Sequence, residues 1–153
     1  MQFYIPFGDW SRDGHGQDEE ILVEAESMEK LLEAEKQIKK EYGEDFFQGY
    51  AADYDIPKLS SVCWQALIDN NYPIEQFKEN IYLNEEEDKI VNSVEDYLNK
   101  IDSDPYVDLD FVIDSFIWLL NQYKAGIEII DAPPQINNWT CGGFETVGYG
   151  CFS

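Results

Sequence analysis

Residues 108–123 constrain the fold of this chain more than any other segment. One face of a helix over these residues is apolar, and most of the opposite face is apolar as well. The first face carries Leu109, Val112, Ile113, Phe116, Leu120 and Tyr123, and the rest carries Phe111, Ile117, Trp118 and Leu119. A helix that is apolar nearly all round is usually buried. We therefore expect this helix at the centre of the fold, packed against a sheet.

Strands are predicted at both ends of the chain. Residues 2–7 and 19–24 carry β-type apolar patterns, and the polar, Gly-rich segment between them predicts a hairpin with a long loop. A third strand is predicted over residues 127–130. The Gly-rich tail predicts a turn at Gly142-Gly143 and a closing strand within residues 139–152.

Four further helices are predicted between the strands, from apolar residues at helical spacing and from capping signals. They span residues 27–42 with Ser27 as N-cap and Gly43 after the end, residues 57–69, a short segment after Pro73, and residues 84–101. Residues 44–55 are predicted to form a loop. Strands at both ends with helices between them predict an α+β fold. We expect a small, mostly antiparallel sheet (N-terminal hairpin plus C-terminal strands) covered by about five helices, in one domain spanning residues 1–153.

Charge limits the partners of this chain. Its 32 acidic and 10 basic residues give a formal net charge of −22 at pH 7. A field of this sign repels nucleic acid, whose binding proteins need Lys and Arg to displace counterions, and it repels anionic membranes. The field attracts a basic protein, although acidity also serves solubility alone. We expect a basic protein partner, no nucleic acid and no membrane.

The acidic residues are densest in residues 81–114, where eleven acids stand against two lysines. The residues predicted to contact the partner are Glu85, Glu86, Glu87, Asp88, Asp104, Asp108 and Asp110. Small acidic inhibitors of basic nucleases, including the immunity proteins of toxin systems, are similar in composition. The leading hypothesis is therefore a non-enzymatic binding protein of this inhibitor type, because the sequence shows no nucleophile motif, no cofactor motif and no phosphate-cradling glycine motif.

A cation-binding loop is the first alternative. Side chains with oxygen atoms stand at the ligand spacing of an EF-hand calcium loop, with Gly14 at its sharp turn; they are Asp9, Ser11, Asp13, Gln17 and Glu20. The loop departs from that pattern because Gly16 replaces an apolar residue, Arg12 adds a positive charge, and strands flank the loop. An Asp- and Gly-rich hairpin turn explains the same residues. Calcium is the only cofactor that the sequence suggests.

A hydrolase is the second alternative. His15 is the one histidine of the chain and lies near Asp9 and Asp13, so it is a candidate general base. Acid–base catalysis requires a positioned partner, and an exposed loop histidine with no role fits the sequence as well.

The three cysteines, Cys63, Cys141 and Cys151, include no CxxC pair and therefore indicate no zinc site. An odd, sparse set suits a reducing compartment. The first residues show no basic segment followed by an apolar run. We expect a cytoplasmic protein in which Cys63, on an apolar helix face, is buried.

Overall fold

The computed structural model describes residues 2–10, 16–48, 50–53 and 56–130. The elements in chain order are β1 (Gln2–Trp10), β2 (Gly16–Ala25), α1 (Met28–Tyr42), one 3-10 turn (Phe46–Gln48), β3 (Tyr50–Asp53), β4 (Ile56–Leu59), α2 (Ser61–Asp69), α3 (Ile74–Glu79), α4 (Glu85–Ile90), α5 (Val94–Lys100), α6 (Leu109–Gln122) and β5 (Ile127–Ile129). The described strands form a sheet in the order β1-β2-β5 and a separate β3-β4 hairpin. Every pair is antiparallel. The predicted α+β fold, with a small antiparallel sheet and several helices, is confirmed.

The N-terminal hairpin is longer than its apolar pattern predicted. Its ladder runs from Gln2 opposite Glu24 to Trp10 opposite Gly16. The ladder continues into polar residues because backbone hydrogen bonds do not require apolar side chains. On the other edge of β2, Val23 pairs with Ile129 of β5.

Helix α6 lies at the centre of the core. Phe111, Val112, Phe116, Leu119 and Leu120 are all buried. The helix contacts α1 and α2 as well as strands β4 and β5. The prediction of a buried central helix is confirmed, and its exposed residues in the described part of the chain are Asp110, Asp114 and Gln122.

Helix α1 begins and ends where its capping residues predicted. The Ser27 side chain accepts a hydrogen bond from the Lys30 backbone N–H at 3.3 Å. At the other end, Gly43 adopts φ 118° and its N–H donates to the Lys39 carbonyl at 2.8 Å. A positive φ of this size favours glycine, which has no Cβ to clash.

The prediction of a loop over residues 44–55 is wrong, because this segment contains the 3-10 turn and β3. The predicted helix over residues 57–69 begins only at Ser61, since Pro57 and Lys58 pair with β3 as part of β4. Ser60 is the N-cap and accepts a hydrogen bond from the Cys63 backbone N–H at 3.3 Å. Two four-residue strands are too short to show a clear apolar period.

The predicted helix over residues 84–101 is two helices. Val91 is extended and fully buried between α4 and α5. Ser93 then caps α5 by accepting from the Asp96 backbone N–H at 3.1 Å, and the Asp96 carboxylate accepts from the Asn92 N–H at 3.0 Å. The predicted turn and closing strand within residues 139–152 lie outside the described residues.

Candidate functional site

Helix α4 presents its acidic residues to solvent. Glu85 and Glu86 are exposed, and no residue of α4 is buried. Glu87 completes a capping box with Asn84: the Asn84 side chain accepts from the Glu87 backbone N–H at 2.8 Å, and the Glu87 carboxylate accepts from the Asn84 N–H at 3.1 Å. Four consecutive acids also suit the positive end of a helix. Glu87 therefore has a structural role, whereas Glu85 and Glu86 face outward.

Two lysines attach α4 to its neighbours. Lys78 of α3 lies with its Nζ 3.0 Å from the Asp88 carboxylate and 3.1 Å from the Asp88 carbonyl oxygen. Lys100 of α5 donates to the Ile90 carbonyl oxygen at 3.1 Å. Asp88 remains exposed although it is paired.

Asp104 also has an internal partner. The Lys58 Nζ lies 2.7 Å from the Asp104 carboxylate and 4.6 Å from the centre of the Tyr106 ring. The Asp104 backbone N–H donates to the Asp102 carboxylate at 3.0 Å. One lysine is therefore held between a carboxylate and an aromatic face.

The start of α6 adds a third group of acids. Asp108 and Asp110 are exposed, and Asp114 follows one turn later. Burial, then the charges of Asp110 and of Glu79 on α3, raise the pKa of Asp114 above its ordinary value. Like charges from two helices therefore lie close together here.

Charges from these three groups act on shared neighbours. Burial, then the charges of Asp102 and Glu87, raise the pKa of Tyr97, so one acid of the 102–104 turn and one acid of α4 lie near the same tyrosine. The Lys78–Asp88 pair connects α4 to α3, whose last residue, Glu79, lies near Asp114. We call these acids together the acidic face; its residues are Glu79, Glu85, Glu86, Glu87, Asp88, Asp102, Asp104, Asp108, Asp110 and Asp114. It contains all seven residues predicted to contact a partner.

The candidate calcium loop is only partly described. Ser11 and Asp13 lie outside the described residues. The ladder places Asp9 opposite Gln17 but Glu20 opposite Pro6, three residues from Gln17 and about 10 Å along the strand. Among the described residues no cluster of three or more His, Cys, Asp or Glu could hold a metal ion. Calcium binding stays a prediction, and so does a hydrolase using His15, which also lies outside the described residues.

A tyrosine–carboxylate cluster at the ends of α1, α2 and α6 was not predicted from the sequence. The Tyr42 hydroxyl donates to the Asp69 carboxylate at 2.9 Å, and the Tyr123 hydroxyl donates to Glu41. With Asn70 they line a hollow of about 390 Å³. Burial, then the hydrogen bond to Asp69, raises the pKa of Tyr42. The partners are 27 and 82 residues apart in the chain, so no local motif could indicate them.

Cys63 is buried, as its helix face predicted. Its thiol lies 3.6 Å from the Phe46 carbonyl oxygen, and burial raises its pKa to about 11. A reactive nucleophile requires the opposite shift, toward the thiolate. Cys141 and Cys151 lie outside the described residues.

Comparison of this chain with protein-family models, with curated proteins and with solved structures found no match in any of the three. In the described part of the chain no helix has both the length and the apolar character needed to cross a bilayer.

Proposed function

We propose that this chain is a non-enzymatic cytoplasmic protein that binds a basic partner protein through the acidic face. It would act as an inhibitor does, by covering the cationic surface through which the basic partner works. The observation that supports the proposal is that acids of α4, the 102–104 turn, α3 and the start of α6 are mostly exposed and that some of them act on the same neighbours, Tyr97 and Asp114. Exposed charge of one sign produces a field that speeds the encounter with a partner of opposite charge.

The internal ion pairs divide the predicted contacts into two groups. Asp88, Asp104 and Glu87 are engaged within the protein, so removing their charges would also disturb the fold. Four predicted contacts make no ion pair within the described residues: Glu85, Glu86, Asp108 and Asp110. These four residues are therefore the better targets for substitutions that test partner binding.

The test compares two variants with equal loss of charge. In the face variant, E85Q, E86Q, D108N and D110N are combined. In the control variant, exposed acids on α1 and in the segment after it are neutralised, as E29Q, E33Q, E44Q and D45N. Each tagged protein is used to capture proteins from native lysate, and the captured proteins are identified by mass spectrometry.

We expect wild type and the control variant to capture the same basic protein and the face variant to retain much less of it. Capture should fall between about 0.1 M and about 1 M salt, where the screening length drops from about 10 Å to about 3 Å. Equal capture by the face variant, or capture that resists high salt, would contradict the proposal.

A further inference from the structure

Tyr82 is unusually exposed for an aromatic residue. Its side chain is 87% exposed, whereas the other exposed large apolar side chains among the described residues reach 37–49%. It lies between α3 and α4, and its neighbours Ile81 and Leu83 pack against the core. Two anchored neighbours hold the backbone of Tyr82 in place while its ring faces solvent.

The acids of α4 begin immediately after Tyr82. Glu85 is three residues away, so their Cα atoms lie within about 11 Å of each other. Glu86 and Ile90 are four residues apart on α4 and share a face, and Ile90 is 47% exposed. Lys89 is the single basic residue of this helix. Residues 82–90 therefore carry an open aromatic ring, exposed carboxylates and an exposed aliphatic side chain within one short segment.

A second place in this protein shows how a carboxylate and an aromatic ring together bind a cationic side chain. Lys58 is held between the Asp104 carboxylate and the ring of Tyr106. At Tyr82 the ring and the carboxylates are present, and the described residues place no lysine over the ring. The open ring of Tyr82 and the negative charge of α4 fit a cationic side chain that comes from another molecule.

We infer that Tyr82 is the contact at which an arginine of the basic partner stacks, with Glu85 or Glu86 pairing its guanidinium group. This inference rests on the proposed function and adds to it a preference for arginine over lysine in the partner. Arginine is preferred to lysine because its planar group stacks on an aromatic ring and binds a carboxylate through two hydrogen bonds. Tyrosine and arginine are also the residues that most often dominate protein interfaces.

Two labelled peptides of equal length and charge serve as probes, one with arginines and one with lysines, each spaced by glycine. Their affinities for the full chain are measured by fluorescence anisotropy, and the contact is located by amide NMR shifts in residues 80–93. We expect tighter binding of the arginine peptide. Tyr82→Ala should weaken that binding about two- to five-fold and remove the preference over lysine. Tyr82→Phe should keep both, because the ring face makes the contact.

Tyr106→Ala is the matched control, because that ring is already covered by Lys58, and we expect it to bind the arginine peptide as wild type does. Wild type that binds the two peptides equally, or binds neither at low salt, overturns the inference. So does Tyr82→Ala with wild-type affinities. If the face variant loses affinity for both peptides while Tyr82→Ala changes nothing, the acidic face stands and the role of Tyr82 is wrong. If the face variant binds both peptides as wild type does, the proposed function fails and the inference fails with it.

Discussion

At the scale of single residues, buried tyrosines connect the acidic face to the core. The ring of Tyr72 packs against Phe111 and Trp118, with ring centres 5.8 Å and 5.0 Å apart. Burial, then the charges of Asp114 and Glu79, raise the pKa of Tyr72 to about 12. The folded protein therefore favours the neutral phenol more strongly than the unfolded chain does, whose tyrosines ionise near pH 10.

This shift predicts a loss of stability at alkaline pH. Below about pH 10 the hydroxyl is protonated in both states, so the contribution of Tyr72 is fully present. As the pH rises toward about 12 the unfolded chain loses its proton first, and the contribution disappears. We expect the free energy of unfolding in urea to fall between about pH 9.5 and about pH 11.5. Tyr72→Phe should make that fall smaller by about 1 kcal/mol, because solvent screens part of the full shift.

Tyr82→Phe is the control for this measurement, since it removes a tyrosine hydroxyl at an exposed position. Its pH dependence should follow wild type. An equally steep fall in Tyr72→Phe would show that burial of this hydroxyl has no part in the alkaline loss.

At the scale of elements, the position of α2 depends on its cap. Ser60 is the single residue between β4 and α2, and α2 carries the buried residues Trp64 and Leu67. Without a capping oxygen the first backbone N–H groups of the helix lose a partner.

Ser60→Ala should therefore destabilise the protein by about 1 kcal/mol. The next residue gives a matched control, because Ser61 is exposed and no side-chain hydrogen bond is described for it. Ser61→Ala should change stability by less than about 0.5 kcal/mol. Urea denaturation followed by circular dichroism measures both, and equal effects of the two substitutions would exclude a capping role for Ser60.

At the scale of the whole molecule, the charge of −22 acts on folding and on binding in opposite directions. Self-repulsion weakens the folded state, while the same field attracts a basic partner. Salt screens both effects. As the salt concentration increases, the protein should therefore become more stable and should bind its partner less tightly.

We expect Tm to rise by about 2–4 °C as sodium chloride increases from about 0.02 M to about 0.5 M. Chloride is used because sulfate stabilises proteins by exclusion from their surface. The face variant carries four fewer negative charges, so its Tm should gain less from added salt than that of wild type. A Tm that falls with added sodium chloride in wild type would show that attraction between charges, not repulsion, dominates the folded state.

The sequence by itself determined those features that depend on neighbours in the chain. The apolar period of residues 108–123 predicted a buried helix, Ser27 and Gly43 marked the ends of α1, and the density of acids in residues 81–114 is read directly from the chain. Helical period and capping act over three or four residues, so a sequence pattern shows them directly.

Only the tertiary structure decided the pairings between distant residues. It formed the β3-β4 hairpin from a predicted loop and the start of a predicted helix, and it divided residues 84–101 into two helices around buried Val91. It brought Lys58 to Asp104 across 46 residues and Tyr123 to Glu41 across 82. The physical reason is that such contacts form only when the core fixes which elements meet, and local sequence does not encode that choice.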